Sequence, residues 1–132
     1  MELMIDFPGG KRVDAHFDSF VVETDQPKTS GGEYSAPSPF QVFLASLGTC
    51  AGIYVLGFCN QRGLPTEGIR LIERVTSNPA NGMAECIEIE IQVPPSFPAN
   101  YYDALVRSAD QCKVKKTIEN PPKFVVHTQV TA

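Results

Sequence analysis

No residue between Gln41 and Gln61 carries a charge, and the apolar positions of this stretch cover nearly the whole circumference of a helix. The ends of that helix are marked. Ser38 can cap the first turn, Pro39 suits the first helical position, Gln41 completes a Ser-x-x-Gln capping box, and Gly63 follows Arg62 where a left-handed C-cap is expected. The pattern predicts a helix over 38–62 that is apolar all round and must therefore be buried. A chain of 132 residues has little other material to surround it. Any fold of this sequence is organised by that helix.

Cys50 lies at its middle, flanked by Gly48, Thr49, Ala51 and Gly52. A free cysteine is often a small buried hydrophobe. Glycine within a helix, however, costs about 1 kcal/mol relative to alanine, so the small residues around the thiol imply close approach of another element or a ligand. Cys59 is nine residues further on. At about 100° per residue the two thiols lie on roughly opposite faces and about 13 Å apart along the axis, too far to bridge.

A third cysteine, Cys112, opens a short helical pattern that runs to Glu119 and carries Lys113, Lys115 and Lys116. The amide dipoles at such a helix start, with three lysines nearby, predict that a thiolate is stabilised at Cys112. Cys86 belongs to Met83–Val93, where strict alternation puts it with Glu88, Glu90 and Gln92 on a wet face and Ile87, Ile89, Ile91 and Val93 on the other. No Cys-x-x-Cys or His-x-x-x-His spacing is present, so no metal site is expected, and His16 and His127 read as ordinary strand residues.

Elsewhere, Leu3–Phe7, Arg12–Phe17 and Ser19–Glu23 read as a strand meander within 1–24. The stretch Thr24–Pro39, rich in Pro, Gly, Ser and Thr, reads as an exposed loop. Strands at Gly68–Thr76 and Met83–Val93 form a hairpin over 68–93, turned by Ser77-Asn-Pro-Ala-Asn-Gly82. After Pro94-Pro95, Ala99–Gln111 reads as an amphipathic helix with Tyr102, Leu105, Val106 and Ala109 inward, so that helices occupy 99–119. A closing strand is expected at Lys123–Val130. Strands at both ends with helices between predict an α+β fold and one domain over 1–132.

The formal charge of −4, without a basic run, argues against nucleic-acid binding. The apolar helix has the length of a membrane span, but Gln41, Ser46, Thr49 and three glycines dilute it and no basic cluster marks one side, so no span is expected. Four cysteines at unpatterned spacing, in a sequence that begins without an apolar leader, predict a cytoplasmic protein in which any disulfide is transient.

The run Ala36-Pro-Ser-Pro-Phe-Gln-Val-Phe-Leu-Ala-Ser-Leu-Gly-Thr-Cys50, with Ala109-x-x-Cys112-x-Val and a closing strand, resembles the OsmC/Ohr family, closest to its YhfA-like branch. The resemblance implies antiparallel sheets packed around a long central apolar helix in an intertwined homodimer, with the thiols near the subunit boundary. It also implies a peroxidase of oxidative and osmotic stress defence that reduces organic hydroperoxides without a resident cofactor. Cys50 would attack, Cys112 would resolve, and a dithiol, dihydrolipoamide-like by the same resemblance, would regenerate the enzyme. The family's peroxidases have a glutamate about ten residues before the reactive cysteine, orienting an arginine; here Phe40 stands there, next to Gln41. The arginine expected from an early strand corresponds to Arg12, with Lys11 as the other cation. A cation matters because the thiolate is the nucleophile and a free thiol has a pKa near about 8.5. Phe40, Phe43, Leu47, Ile53 and Tyr54 would give the substrate a greasy pocket.

Two other readings share these residues. One is a binding protein that holds a lipid-like or thiol compound in an apolar pocket, a reading the substitution by Phe40 favours. The other is thiol transfer or electrophile capture by Cys50 without Cys112.

Overall fold

The computed structural model describes residues 1–131, and the chain divides into two compact units, Met1–Ser46 and Leu47–Ala132. In the first unit, β1 (Met4–Gly9), β2 (Arg12–Phe17) and β3 (Phe20–Thr24) form an antiparallel sheet in the order β1-β2-β3. The β2–β3 turn holds Asp18 at φ +51°, a left-handed conformation that aspartate tolerates better than most residues.

The stretch expected as an exposed loop after β3 is wound around a buried side chain instead. Asp25 is 2% exposed, and its carboxylate accepts hydrogen bonds from the Gln26 amide (2.8 Å), the Ser35 amide (2.9 Å) and the Ser35 hydroxyl (2.7 Å). Its own amide donates to Pro37 O at 3.1 Å. These donors hold its pKa down at about 2, the Ser35 hydroxyl contributing most. A Cβ on Gly32 would meet Gln26 O at 2.0 Å, so glycine is required there. Composition suggested a solvated loop because one short polar side chain that organises ten residues leaves no periodic signal.

Helix α1 runs Pro39–Gln61. Its start is the capping box: Ser38 Oγ accepts from the Gln41 amide at 3.3 Å and Gln41 Oε1 accepts from the Ser38 amide at 2.9 Å. Its end is followed by Gly63 at φ +62°. By length and composition α1 could cross a bilayer. Five of its residues, Leu47, Ala51, Val55, Phe58 and Cys59, are buried in the second unit. The expectation of burial all round needs correction within one chain, because Phe40, Ile53 and Leu56 are 51%, 58% and 39% exposed.

In the second unit β4 (Arg70–Ser77) and β5 (Ala84–Gln92) form the hairpin, with Asn78 N–H donating to Met83 O at 2.8 Å across the turn. The register pairs Leu71 with Ile91, Glu73 with Ile89 and Val75 with Ile87, so these six side chains share one face. The other face is charged: Arg74 Nη1 lies 3.0 Å from Glu88 Oε1 and 3.2 Å from Glu90 Oε2. Cys86, opposite Thr76, is exposed there.

The core is Val55, Phe58, Cys59, Phe97 and Leu105, with Leu71, Ile91, Tyr101 and Ala109 packed against it. Each large side chain so buried contributes about 1.5–3 kcal/mol. The single helix expected over 99–111 divides into a tight turn at Ala99–Tyr101 and α2 (Tyr102–Ala109), and only Leu105 is fully buried. Tyr102 and Val106, expected inward, are 44% and 54% exposed, although the Tyr102 ring stacks on Phe97 with centroids 6.1 Å apart. Helix α3 (Lys113–Glu119) follows.

The closing strand expected at Lys123–Val130 is absent as a paired strand. The segment has no ladder partner among the described residues, and Phe124 and Val126 are 82% and 96% exposed. Its β-branched alternation is real, but a strand exists only where a sheet edge offers hydrogen bonds.

Candidate functional site

The start of α3 determines how two thiols meet. A helix leaves its first amides without internal partners, and these must be satisfied locally. Cys112 is the N-cap, with φ −47° and ψ 121°, and its Sγ accepts from the Lys115 amide at 3.4 Å. The amides of Val114 and Lys113 hydrogen-bond to Cys50, at the middle of α1. The Cys50 and Cys112 thiols are themselves hydrogen-bonded to each other, and Cys112 Sγ lies 3.9 Å from Leu47 O. None of the four cysteines is joined in a disulfide.

This geometry reverses the expected order of acidity. Cys50 is shifted below an ordinary thiol, chiefly by the Val114 amide, with Cys112, the Lys113 amide and the Lys113 charge helping and burial opposing. Cys112 is shifted up, because burial outweighs the Lys115 amide and the Cys50 neighbour disfavours a second negative charge. The helix start does favour an anion, as its lysines and amides suggested, but two of its free amides point at the sulfur across from it. Sequence reasoning missed Lys113 and Val114 because they act through the backbone, which leaves no residue-type signal.

A cavity of about 280 Å³ adjoins Cys112. Leu47 and Ala51 of α1, Ile87, Ile89 and Ile91 of β5, and Val106, Ala109 and Ile118 give it an aliphatic wall, and Cys112, Asp110 and Lys115 give it polar groups. Lys115 Nζ and Asp110 Oδ1 form an ion pair at 2.7 Å. The alternation in β5 made the isoleucines legible as one apolar face; that they enclose a space was not.

Glu73 is a partly buried acid of this unit. Its Oε2 lies 2.7 Å from where a Cβ on Gly48 would sit, its buried Oε1 has no hydrogen-bond partner, and burial raises its pKa. The small residue at 48 thus answers to a carboxyl on the apolar face of β4. Gly52 and Gly57 have open space around them.

The remaining sequence candidates are placed as follows. Arg12, on β2 of the first unit, has its guanidinium 3.1 Å from Asp14 Oδ2 and 3.4 Å from Glu23 Oε1. Lys11 sits in the turn before β2. Phe40 and Phe43 stack on one turn of α1, with ring centroids 5.6 Å apart. Gln41, besides its capping role, donates to Tyr34 Oη at 2.9 Å. Leu47 is buried in the cavity wall, whereas Tyr54 faces a second groove and accepts from Ser108 Oγ at its carbonyl at 3.1 Å.

Residues 30–127 match the model of the OsmC-like protein family. No curated relative matches the chain in sequence. Among solved structures, a Psychrobacter arcticus 273-4 protein, provisionally described as an osmotic stress induced and detoxification response protein, is 19% identical with a TM-score of 0.75, over 87% of this chain and 85% of the other. An organic hydroperoxide resistance protein OsmC from Legionella pneumophila, described as a predicted redox protein, is 20% identical with a TM-score of 0.56, over 89% of each chain. A Vibrio cholerae protein, provisionally described as an organic hydroperoxide resistance protein, with captopril in one of its active sites, is 16% identical with a TM-score of 0.60, over 92% and 86%. These likenesses show the α+β fold of antiparallel sheets with a long central helix.

Proposed function

Because the chain belongs to the OsmC-like protein family, we propose that it is a thiol peroxidase for organic hydroperoxides, in which Cys50 attacks and Cys112 resolves. The observation that carries this reading is the hydrogen-bonded pair itself: one thiol made more acidic by two backbone amides, in contact with a second that is less acidic.

In this mechanism the Cys50 thiolate attacks the distal oxygen of ROOH. The O–O bond breaks, RO⁻ takes a proton to leave as the alcohol, and Cys50 becomes a sulfenic acid. Cys112 then attacks Cys50 Sγ, the S–OH bond breaks, and water leaves after the proton transfer, closing a Cys50–Cys112 disulfide. Arg12 and Lys11 enter as the cations implied by the family resemblance. With Asp14 and Glu23 on the Arg12 guanidinium, the amides of Lys113 and Val114 carry more of the thiolate's stabilisation. Phe40, Gln41, Phe43, Leu47 and Tyr54 enter this reading as the binding residues that the family resemblance implies. A thiol reductant reopens the disulfide, which suits a reducing cytoplasm. Captopril carries a thiol, so the Vibrio cholerae neighbour offers a precedent for a thiol compound in a site of this fold.

A second copy of the chain is the partner this reading requires. Phe124, Val125, Val126 and Val130 are 82%, 70%, 96% and 92% exposed, and Ile53 and Leu56 leave part of α1 uncovered. An intertwined homodimer would give the 123–130 segment a sheet edge.

The test is peptide mass spectrometry of the reduced protein after one equivalent of an organic hydroperoxide. A Cys50–Cys112 crosslink within seconds is expected; unreacted thiols would overturn the reading. The aliphatic cavity favours one alternative, a binding protein for an apolar small molecule. That alternative predicts unreacted thiols and a ligand that co-purifies.

A further inference from the structure

The arginines of the chain are not equally engaged. Arg12 holds Asp14 and Glu23, Arg74 holds Glu88 and Glu90, and Arg70 Nε donates to Gln92 Oε1 at 2.6 Å. Arg62 Nη1 donates to Phe58 O at 3.2 Å, and its guanidinium lies 3.7 Å from the centre of the Phe58 ring. Among the described residues the Arg107 guanidinium, on α2, has no ion-pair or hydrogen-bond partner. Of the acids near it in sequence, Asp110 is taken by Lys115, and Asp103 does not pair with it.

Arg62 and Arg107 both line a groove of about 480 Å³ between the second half of α1 and α2. Ile53, Gly57, Phe58 and Ala104 give it an apolar bed, and no acid is among its lining residues. A Cβ on Gly57 would meet nothing within 4 Å, so the bed is open there. Ser108 Oγ donates to Tyr54 O at 3.1 Å, which ties α2 to α1 along the groove and forms it without a ligand. The last carbonyls of a helix repel an anion. Arg62, bonded to Phe58 O, offsets that field at the end of α1. The groove shares no lining residue with the cavity beside Cys112, so it stands apart from the thiol chemistry.

We propose that this groove is a binding site for a small organic carboxylate with an apolar body, its oxygens held by Arg107 and Arg62 and its hydrocarbon laid over Ile53, Gly57 and Ala104. A guanidinium presents paired N–H donors that match the two oxygens of a carboxylate, and such charge-assisted bonds are about twice as strong as neutral ones. The apolar bed favours a hydrocarbon-bearing acid over a small hydrophilic anion. A second copy of the chain is the rival occupant. Two-fold pairing through the groove would set Arg62 and Arg107 against their own equivalents, a like-charge cost that a small anion does not incur.

The experiment titrates the intact, nitrogen-15-labelled protein with sodium octanoate at neutral pH and follows the backbone amide shifts. Saturable shifts at Ile53, Gly57, Ala104 and Arg107 are expected, with 1-octanol binding at least about tenfold more weakly. Arg107→Gln should weaken octanoate binding at least about tenfold and remove its advantage over octanol, whereas Arg107→Lys should keep part of it. Gly57→Leu, which fills open space, should abolish binding. Equal affinity for octanoate and octanol, unchanged affinity in Arg107→Gln, or shifts confined to Ile87, Ile89 and Ile91 in the other cavity would each overturn the proposal. Sedimentation of Gly57→Leu decides the rival occupant. An unchanged oligomeric state is expected; dissociation would show that copies of the chain meet at this groove and would reject it as a ligand site.

Discussion

The middle of α1 and the start of α3 each present a cysteine to the same small space, yet the surroundings shift the two thiols in opposite directions. Cys50 comes from an uncharged apolar helix, the setting that ordinarily raises a thiol pKa, and is lowered because the Val114 and Lys113 amides end on its sulfur. Cys112 comes from a lysine-rich helix start, the setting that ordinarily lowers it, and is raised because it is buried, 2% exposed, beside another thiol. A residue's own element is a poor guide to its acidity. What decides is which dipoles point at the atom from the element opposite.

The largest effect that would break this comparison is loss of the nucleophile. Cys50→Ser should reduce hydroperoxide consumption to background in a dithiol-coupled assay. Cys112→Ser should preserve the first turnover and let a Cys50 sulfenic acid accumulate, detectable with a dimedone-type reagent, while steady turnover falls. Equal losses in both variants at the first turnover would contradict the division of roles.

Next in size is the pH profile of alkylation. A thiol with a lowered pKa reacts at lower pH, so in Cys112→Ser the iodoacetamide rate at Cys50 should reach its plateau at lower pH than that of Cys112 in Cys50→Ser. Coincident midpoints, or the opposite order, would show that the amides of α3 do not govern Cys50. Arg12→Ala should move the Cys50 midpoint less than the separation between the two thiols, since its guanidinium is engaged by Asp14 and Glu23.

Two carboxyls extend the same lesson to stability. Asp25 is fully donated to, and its folded pKa of about 2 lies below the ordinary 3.8. Its stabilisation is therefore complete above about pH 4 and is lost as pH falls through 2. Asp25→Ala should lower Tm by several degrees at neutral pH, with the deficit shrinking in acid. Glu73 has the reverse sign. Its folded pKa is raised above 4.5 by burial, so the folded state holds the proton more tightly and stability declines as pH rises through 4.5 toward the folded value. Glu73→Gln should leave the protein as stable or slightly more stable at pH 7, read from thermal melts. A marked loss would mean that the carboxylate serves as an anion in the assembled protein.

Much of this was legible in the chain itself. The capping box at Ser38–Gln41, the glycine after Arg62, the hairpin turn at Ser77–Gly82 and the isoleucine face of β5 follow from short-range chemistry that a sequence states directly. So does the presence of two helix-borne thiols at Cys50 and Cys112. The knot around Asp25 and the carboxyl against Gly48 were not legible, because each depends on a single side chain meeting a distant backbone. The segment 123–130 has the residues of a strand and no edge in its own chain, which local preference cannot register.

By itself, then, the sequence determined that an uncharged helix organises the fold, that sheets flank it in chain order, and that a cysteine sits at its centre. Periodicity and capping are properties of neighbouring residues. Only the tertiary structure decided which thiol is acidic, which one borders the cavity, and where the buried carboxyls lie. Those depend on the direction of backbone dipoles and on the exclusion of water between elements some sixty residues apart, quantities that exist only once the chain has folded.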